Sequence, residues 1–309
     1  MDEIENMDFV VPIKQIGLFT RSVLEGISLF YQPRRIIVVI REDDIPILQK
    51  ESLQWKVKKL EIINENFFFM KNYGLTRENL EEVFQTTQDK KHREFGWWYQ
   101  QMIKLGSSTQ IHDISEHYVV WDGDLIPLEK WELTNQNNQG SIDYYIAILQ
   151  NQPRSEFNKE QYEKCIQDLL GFSSFSPTDH GTFVTHHMVF KVEYVKEMID
   201  FILERKKIST PWPLSFISLS HEYFRFSEYL LYASFMMNFH SSHFFYYPYE
   251  NFGKTGLRFR KTESIIQELC TTYPSTSDVC FSYQQISDFF RDKQETPSYV
   301  QFEHVYYLL

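Results

Sequence analysis

The chain has 309 residues, of which 42% are hydrophobic and 17% aromatic, so it can bury a sizeable core and is too apolar to be disordered. Its formal net charge of −11 opposes long-range attraction to nucleic acid or an anionic membrane, and any phosphate site must therefore be local. No apolar run reaches the roughly 20 residues that span a bilayer, and the acidic start does not resemble a secretory signal. Three cysteines without metal-ligand spacing suit a reduced compartment, so we expect a cytoplasmic protein.

The start of the chain alternates strand and helix. Residues 9–13 and 35–40 are apolar runs typical of buried strands, and residues 19–30 between them carry apolar side chains at helical spacing. This order predicts a parallel βαβ unit, whose ligands bind beyond the carboxyl ends of the strands. Lys14 and Arg41 follow those two ends and are candidate ligand-binding residues.

The next elements continue the alternation. We predict a strand at 57–63, a helix at 79–86 and an amphipathic helix at 97–106, which Gly106 ends as a C-cap. Gln101 and Lys104 lie on the polar side of that last helix.

Two carboxylates follow the next predicted strand. After the buried run at 118–121, Asp122 and Asp124 flank Gly123, which permits a tight turn, and Pro127 interrupts the strand that follows. Hard divalent cations take oxygen ligands, and one or two carboxylates commonly hold the metal in a nucleotide-diphosphate site. The alternative is a solvated turn, because Asp is common in turns.

The second half of the chain begins with a polar stretch at 135–176 that includes a helix at 160–170. A strand at 181–190 and a helix at 195–203 follow it. Ser227 is a predicted N-cap for a helix at 228–238, and residues 300–309 resemble a final strand. Without repeats or linkers, the simplest prediction is a single domain, residues 1–309.

The order and spacing of these motifs resemble a family of sugar-nucleotide glycosyltransferases with the GT-A fold, found in bacteria and large viruses. The resemblance rests on the βαβ start, Gln100-Gln101 with Lys104, the Asp-Gly-Asp turn, the His-His-Met strand and Phe226-Ser227-Glu228. It implies an α/β fold with a mostly parallel, Rossmann-related sheet flanked by helices. The nucleotide-sugar-binding half would be 1–134 and the acceptor half 135–309.

The resemblance also implies an activity. Such enzymes move a hexosyl or pentosyl group from a nucleoside diphosphate sugar, here a UDP-sugar by preference, to a glycan hydroxyl. An Asp-x-Asp motif coordinates Mn²⁺ or Mg²⁺, which neutralises charge on the departing diphosphate. Asp124 would be the direct metal ligand and Asp122 would bind ribose or metal. A further ligand often comes from a C-terminal histidine, for which His240 and His243 are equal candidates.

The remaining site residues are assigned by the same resemblance. Glu228, at a helix start, would be the general base of an inverting reaction, or would bind the acceptor if the enzyme retains configuration. Trp212, between two prolines in a predicted loop, would offer an exposed indole to a sugar. Adjacent histidines alternate across a strand, so only one of the pair would face the acceptor. The other donor-binding and acceptor-binding candidates are Lys14, Arg41, Arg93, Gln101, Lys104, His186 and His187.

Two other functions remain open. A sugar-nucleotidyltransferase would share the sheet and the metal, but it should carry a glycine-rich phosphate loop after the first strand, where this chain has only Gly17. A non-catalytic carbohydrate-binding or interaction protein would have no need of the intact carboxylates Asp122, Asp124 and Glu228.

Overall fold

The computed structural model describes most of the chain. The described residues are 6–87, 95–137, 142–149, 156–172, 183–184, 186–219, 226–248, 256–274, 280–294 and 297–302. The strands are β1 Asp8–Pro12, β2 Arg35–Ile40, β3 Leu60–Asn64, β4 His117–Trp121, β5 Leu125–Pro127, β6 Thr134–Gln136, β7 Ile142–Leu149, β8 His187–Lys191, β9 Phe244–Pro248, β10 Leu257–Phe259 and β11 Tyr299–Phe302. The helices are α1 Thr20–Tyr31, α2 Ile45–Glu51, α3 Met70–Tyr73, α4 Arg77–Thr87, α5 Phe95–Gln110, α6 Glu156–Leu170, α7 Val192–Lys206, α8 Trp212–Leu219, α9 Glu228–Phe239, α10 Glu263–Thr272 and α11 Tyr283–Asp292.

The chain forms two compact units, each built from separated segments. The first unit comprises Met1–Asn64, Trp121–Glu132 and Glu250–Leu309, and the second comprises Glu65–Val120 and Leu133–Tyr249. The predicted functional halves, 1–134 and 135–309, remain a prediction.

The first unit contains the predicted βαβ start. β1 pairs parallel with β2, and β2 pairs parallel with β3. All five residues of β1 are buried, as are five of the six in β2, because both strands consist almost wholly of apolar residues. α1 connects the two strands and packs against β5 and α11.

One buried charge at the start of this sheet is fully paired. Asp8 is 0% exposed, and both of its oxygens accept hydrogen bonds from the guanidinium groups of Arg34 and Arg35, at 2.6 to 3.1 Å. A buried carboxylate is tolerated only with such partners. This clamp ties the start of β1 to the start of β2.

A second, smaller sheet in the first unit joins residues far apart in sequence. β11 pairs antiparallel with β5 and parallel with β10. Phe302 in β11 stacks on Phe19 beside α1, with ring centroids 3.8 Å apart. β11 is therefore packed into the core of the first unit.

The second unit is built mainly from helices. α5, α7 and α9 pack on one another, and β7 pairs antiparallel with β6 and parallel with β9. Most strand pairs described within the two units are parallel and helices flank them, so the predicted α/β class is confirmed.

Two local predictions were wrong. α5 does not end at Gly106 but continues to Gln110, because Gly106 leaves space for a neighbouring ring: a Cβ there would lie 2.6 Å from Cε1 of Phe69. Trp212 is not in a loop. It begins α8 and is 3% exposed, packed against Phe69 and Phe216, because Pro213 favours the first turn of a helix.

Candidate functional site

The carboxyl edge of the parallel sheet carries the two predicted basic residues. Pro12 at the end of β1 is in register with Val39 of β2, and the N–H of Ile13 donates to the carbonyl of Val39 at 2.9 Å. Lys14 and Arg41 follow these strand ends and are both partly exposed. They thus lie at the same edge of the sheet, as the sequence predicts.

The turn that holds Asp122 and Asp124 lies against this edge. The N–H of Leu125 donates to the carbonyl of Asp122 at 3.1 Å and closes the turn. A Cβ on Gly123 would lie 3.0 Å from Cγ1 of Ile13 and 3.1 Å from the carbonyl oxygen of Pro12. A side chain at this position would force Ile13 or the carbonyl of Pro12 to shift by a few tenths of an ångström, so glycine favours this close approach.

The Trp121 side chain fixes the turn from within the core. Its indole Nε1 donates to the carbonyl of Leu125 at 2.8 Å, and its ring packs near Phe9, Tyr31 and Trp131. Trp121, directly before the acidic turn, is thus part of the aromatic core, and this packing holds the start of the turn in place.

Asp124 is also held by the C-terminal strand β11. The side-chain Nε2 of Gln301 lies 3.3 Å from each Asp124 carboxylate oxygen, and the N–H of Phe302 donates to the Asp124 carbonyl at 3.3 Å. Sequence reasoning did not find Gln301, because a glutamine 177 positions from its partner gives no local signal.

The acidic turn offers ligands of the kind a divalent cation needs. One carboxylate oxygen of Asp122 and one of Asp124 lie within 4.8 Å of each other, and both residues are partly exposed. Two carboxylates suit Mn²⁺ or Mg²⁺, with remaining positions for phosphate oxygens and water.

The two adjacent histidines that the sequence predicts as acceptor-binding residues lie at the start of β8. His186 has a left-handed backbone, with φ of 67°, directly before β8. A residue other than glycine adopts this conformation at a cost of about 1–3 kcal/mol. His187 is 3% exposed within β8.

His240 and His243 make other contacts within the second unit. Nε2 of His240 lies 2.9 Å from a carboxylate oxygen of Glu197, and its ring stacks on Tyr194 with centroids 3.9 Å apart. Nδ1 of His243 lies 3.3 Å from the carbonyl oxygen of Asp143.

Glu228 and Lys104 form a buried ion pair. Each side chain is 3% exposed, and Nζ of Lys104 lies 2.5 Å from Oε1 of Glu228. The ammonium also lies 3.1 Å from the Tyr229 hydroxyl and 4.4 Å from the centroid of that ring. The pair therefore ties α5 to the start of α9.

The polar side of α5 is an interface, and not a surface as its amphipathic pattern suggests. Gln101 is 3% exposed, and its Oε1 accepts a hydrogen bond from the backbone N–H of Glu228 at 3.2 Å. Ser227 caps α9 by accepting from the N–H of Leu230, as the sequence predicts. The polar residues of α5 thus satisfy the first turn of a buried helix.

A buried tyrosine joins α5 to β4. The Tyr118 hydroxyl donates to the carbonyl oxygen of Lys104 at 3.1 Å. Burial raises the pKa of Tyr118 well above its usual value, so the phenol stays protonated and keeps this bond across the physiological range. This contact fixes the strand that leads into the acidic turn.

Two predicted site residues remain, Trp212 and Arg93. The burial of Trp212 argues against the predicted sugar platform, because its indole has no face open to a ligand. Arg93 lies outside the described residues.

A family model described as a family of unknown function, DUF6492, matches residues 18–264. The match spans most of the sequence, so the chain belongs to this family. No curated protein matches the chain by sequence.

Three solved structures resemble the chain at low identity. Mouse xyloside xylosyltransferase 1 in its apo form is 9% identical, with 85% of this chain and 92% of that one covered and a TM-score of 0.42. An active-site mutant of LgtC is 10% identical, with coverages of 96% and 87% and a TM-score of 0.41. Core-mannan synthase A from Aspergillus fumigatus, in a Mn/GDP form, is 9% identical, with coverages of 78% and 72% and a TM-score of 0.43.

None of the described helices is both long enough and apolar enough to traverse a bilayer.

Proposed function

We propose that this chain is a metal-dependent glycosyltransferase that uses a nucleoside diphosphate sugar, with a UDP-sugar favoured, to glycosylate a glycan hydroxyl. The observation that carries the proposal is the Asp122-Gly123-Asp124 turn, held against the carboxyl end of β1, with Lys14 and Arg41 following the ends of β1 and β2 at the same edge. Ligands of parallel α/β sheets bind at this edge. Two carboxylates with two cations nearby suit a metal–diphosphate group.

Each part of this edge has a proposed role. Asp122 and Asp124 would hold a divalent cation. When bound, the cation neutralises the charge that develops on the departing diphosphate. Lys14 and Arg41 bind diphosphate oxygens and orient the donor, so that the anomeric carbon is presented to the acceptor hydroxyl.

Glu228 is our proposed general base. It would accept the proton of the attacking hydroxyl in a reaction that inverts the donor configuration.

The proposal is tested with the full chain and a panel of nucleotide sugars, in the presence of Mn²⁺ or of EDTA. We expect UDP release that depends on the cation. Pyrophosphate-dependent chemistry would instead identify a nucleotidyltransferase, and binding without turnover a non-catalytic protein.

Asp124→Asn supplies the decisive variant. Removal of a direct metal ligand should reduce UDP release by more than the roughly 10- to 100-fold that loss of an outer-shell partner costs. Asp292→Asn, at the exposed end of α11, is the matched control and should keep wild-type activity. Full activity in Asp124→Asn would reject the metal site.

A further inference from the structure

A contact with no role assigned so far lies on β11, which follows the residues that the family model matches. Gln301 is 1% exposed, and its amide nitrogen lies at the same distance, 3.3 Å, from both oxygens of Asp124. A buried amide that meets both oxygens of a partly exposed carboxylate restricts the rotation of that carboxylate.

The other atom of the same amide has no partner. Oε1 of Gln301 is buried and accepts no hydrogen bond within the described part of the chain. A buried acceptor left unpaired costs about 1–3 kcal/mol. The backbone at Gln301 does use its hydrogen-bonding groups, because Gln301 lies in the part of β11 that pairs with β5 and β10. A polar side chain that is buried at such a cost is expected to bind a ligand.

We propose that Gln301 is a positioning residue for the cation site. Its amide nitrogen holds Asp124 in the orientation that presents an oxygen to the cation, and its amide oxygen accepts a hydrogen bond from an O–H group of the bound donor or of water in the site. Metal-binding carboxylates commonly depend on such outer partners. This inference rests on the proposed function, because it assigns a role relative to the cation of that site.

This proposal determines which part of the chain the cation site requires. The cation site needs β11 as well as the matched residues 18–264, because Asp124 receives both a side-chain and a backbone hydrogen bond from that strand. A chain that ends before β11 would keep both carboxylates and lose the groups that orient Asp124.

The test measures Mn²⁺ binding to the full chain without any nucleotide sugar, by the electron paramagnetic resonance signal of free Mn²⁺. Gln301→Met keeps the size of the side chain and removes both polar atoms. We expect its Mn²⁺ affinity to fall about 10- to 100-fold. Gln284→Met, on the exposed side of α11, is the matched control and should bind as the wild type does.

Two further variants separate the possible failures. Asp124→Asn should abolish Mn²⁺ binding; if it binds normally, the cation site itself is wrong, and the proposed function fails with it. If Asp124→Asn loses binding while Gln301→Met stays within about twofold of the wild type, only the role of Gln301 is overturned. Gln301→Asn, which shortens the amide by one methylene, replaces the Met variant if thermal unfolding shows that Met prevents folding, and the same loss is expected.

Discussion

At the scale of single residues, Lys104 and Glu228 differ most from what their positions in the sequence suggest. Both were expected to face a ligand, and both are buried and bound to each other at 2.5 Å. A carboxylate within an apolar helix bundle needs such a partner, because an unpaired buried charge is costly. The pair therefore has a structural role, and a catalytic role of Glu228 must be measured separately from it.

Glu228→Gln separates these two roles. The variant keeps an acceptor oxygen for Lys104 but cannot take a proton, so turnover at saturating donor and acceptor should fall by about 10²- to 10⁴-fold if Glu228 is the base. Lys104→Met should instead lower the free energy of unfolding by about 3–5 kcal/mol, because it leaves the carboxylate unpaired. Urea unfolding and steady-state kinetics of both variants provide the test. Turnover of Glu228→Gln within a few-fold of the wild type would exclude the general-base role.

At the scale of elements, strong local patterns predicted the fold well. β1, α1, β2, β4 and α9 lie within a few residues of their predicted bounds, because continuous apolar runs and helical spacing are local properties. The sheet of β5, β10 and β11 was not predicted as a unit, since strands of three or four residues carry little periodicity.

In the candidate site too, local sequence patterns predicted some residues and missed others. The acidic turn, Lys14 and Arg41 follow from strand ends that can be found in the sequence. Gln301 and the buried polar side of α5 depend on contacts between residues more than a hundred positions apart, which no local pattern encodes.

Gly106 permits a quantitative test of helix packing. Gly106→Ala gains helix propensity of about 1 kcal/mol, but its Cβ would lie 2.6 Å from Phe69, and overpacking typically costs about 1–3 kcal/mol. The free energy of unfolding should therefore fall or stay level in urea titrations. Gly96→Ala in the same helix meets no atom within 4 Å and should be neutral or stabilising. Stabilisation of both variants to the same extent would show that the Phe69 ring moves freely.

At the scale of the whole molecule, titration of a partly buried histidine, His117, links stability to pH. Burial is the main cause that lowers the pKa of His117 below its usual 6.5, and nearby Lys191 lowers it further while Glu116 opposes the shift. The unfolded chain therefore binds the proton more readily than the folded one. His117 begins β4, so its protonation acts on the strand that leads into the acidic turn.

The sign of the effect follows from this difference. The stability that neutral His117 provides is fully present above the unfolded pKa of about 6.5, and it is lost as the pH falls towards the lower pKa of the folded state. We therefore expect the melting temperature of the wild type to drop more between pH 8 and pH 5.5 than that of His117→Gln, which cannot take up the proton. The exposed His112 supplies the control, since His112→Gln should show the wild-type pH dependence. An equal drop in melting temperature for the wild type and His117→Gln would mean that carboxylates and other histidines account for the whole acid sensitivity of the protein.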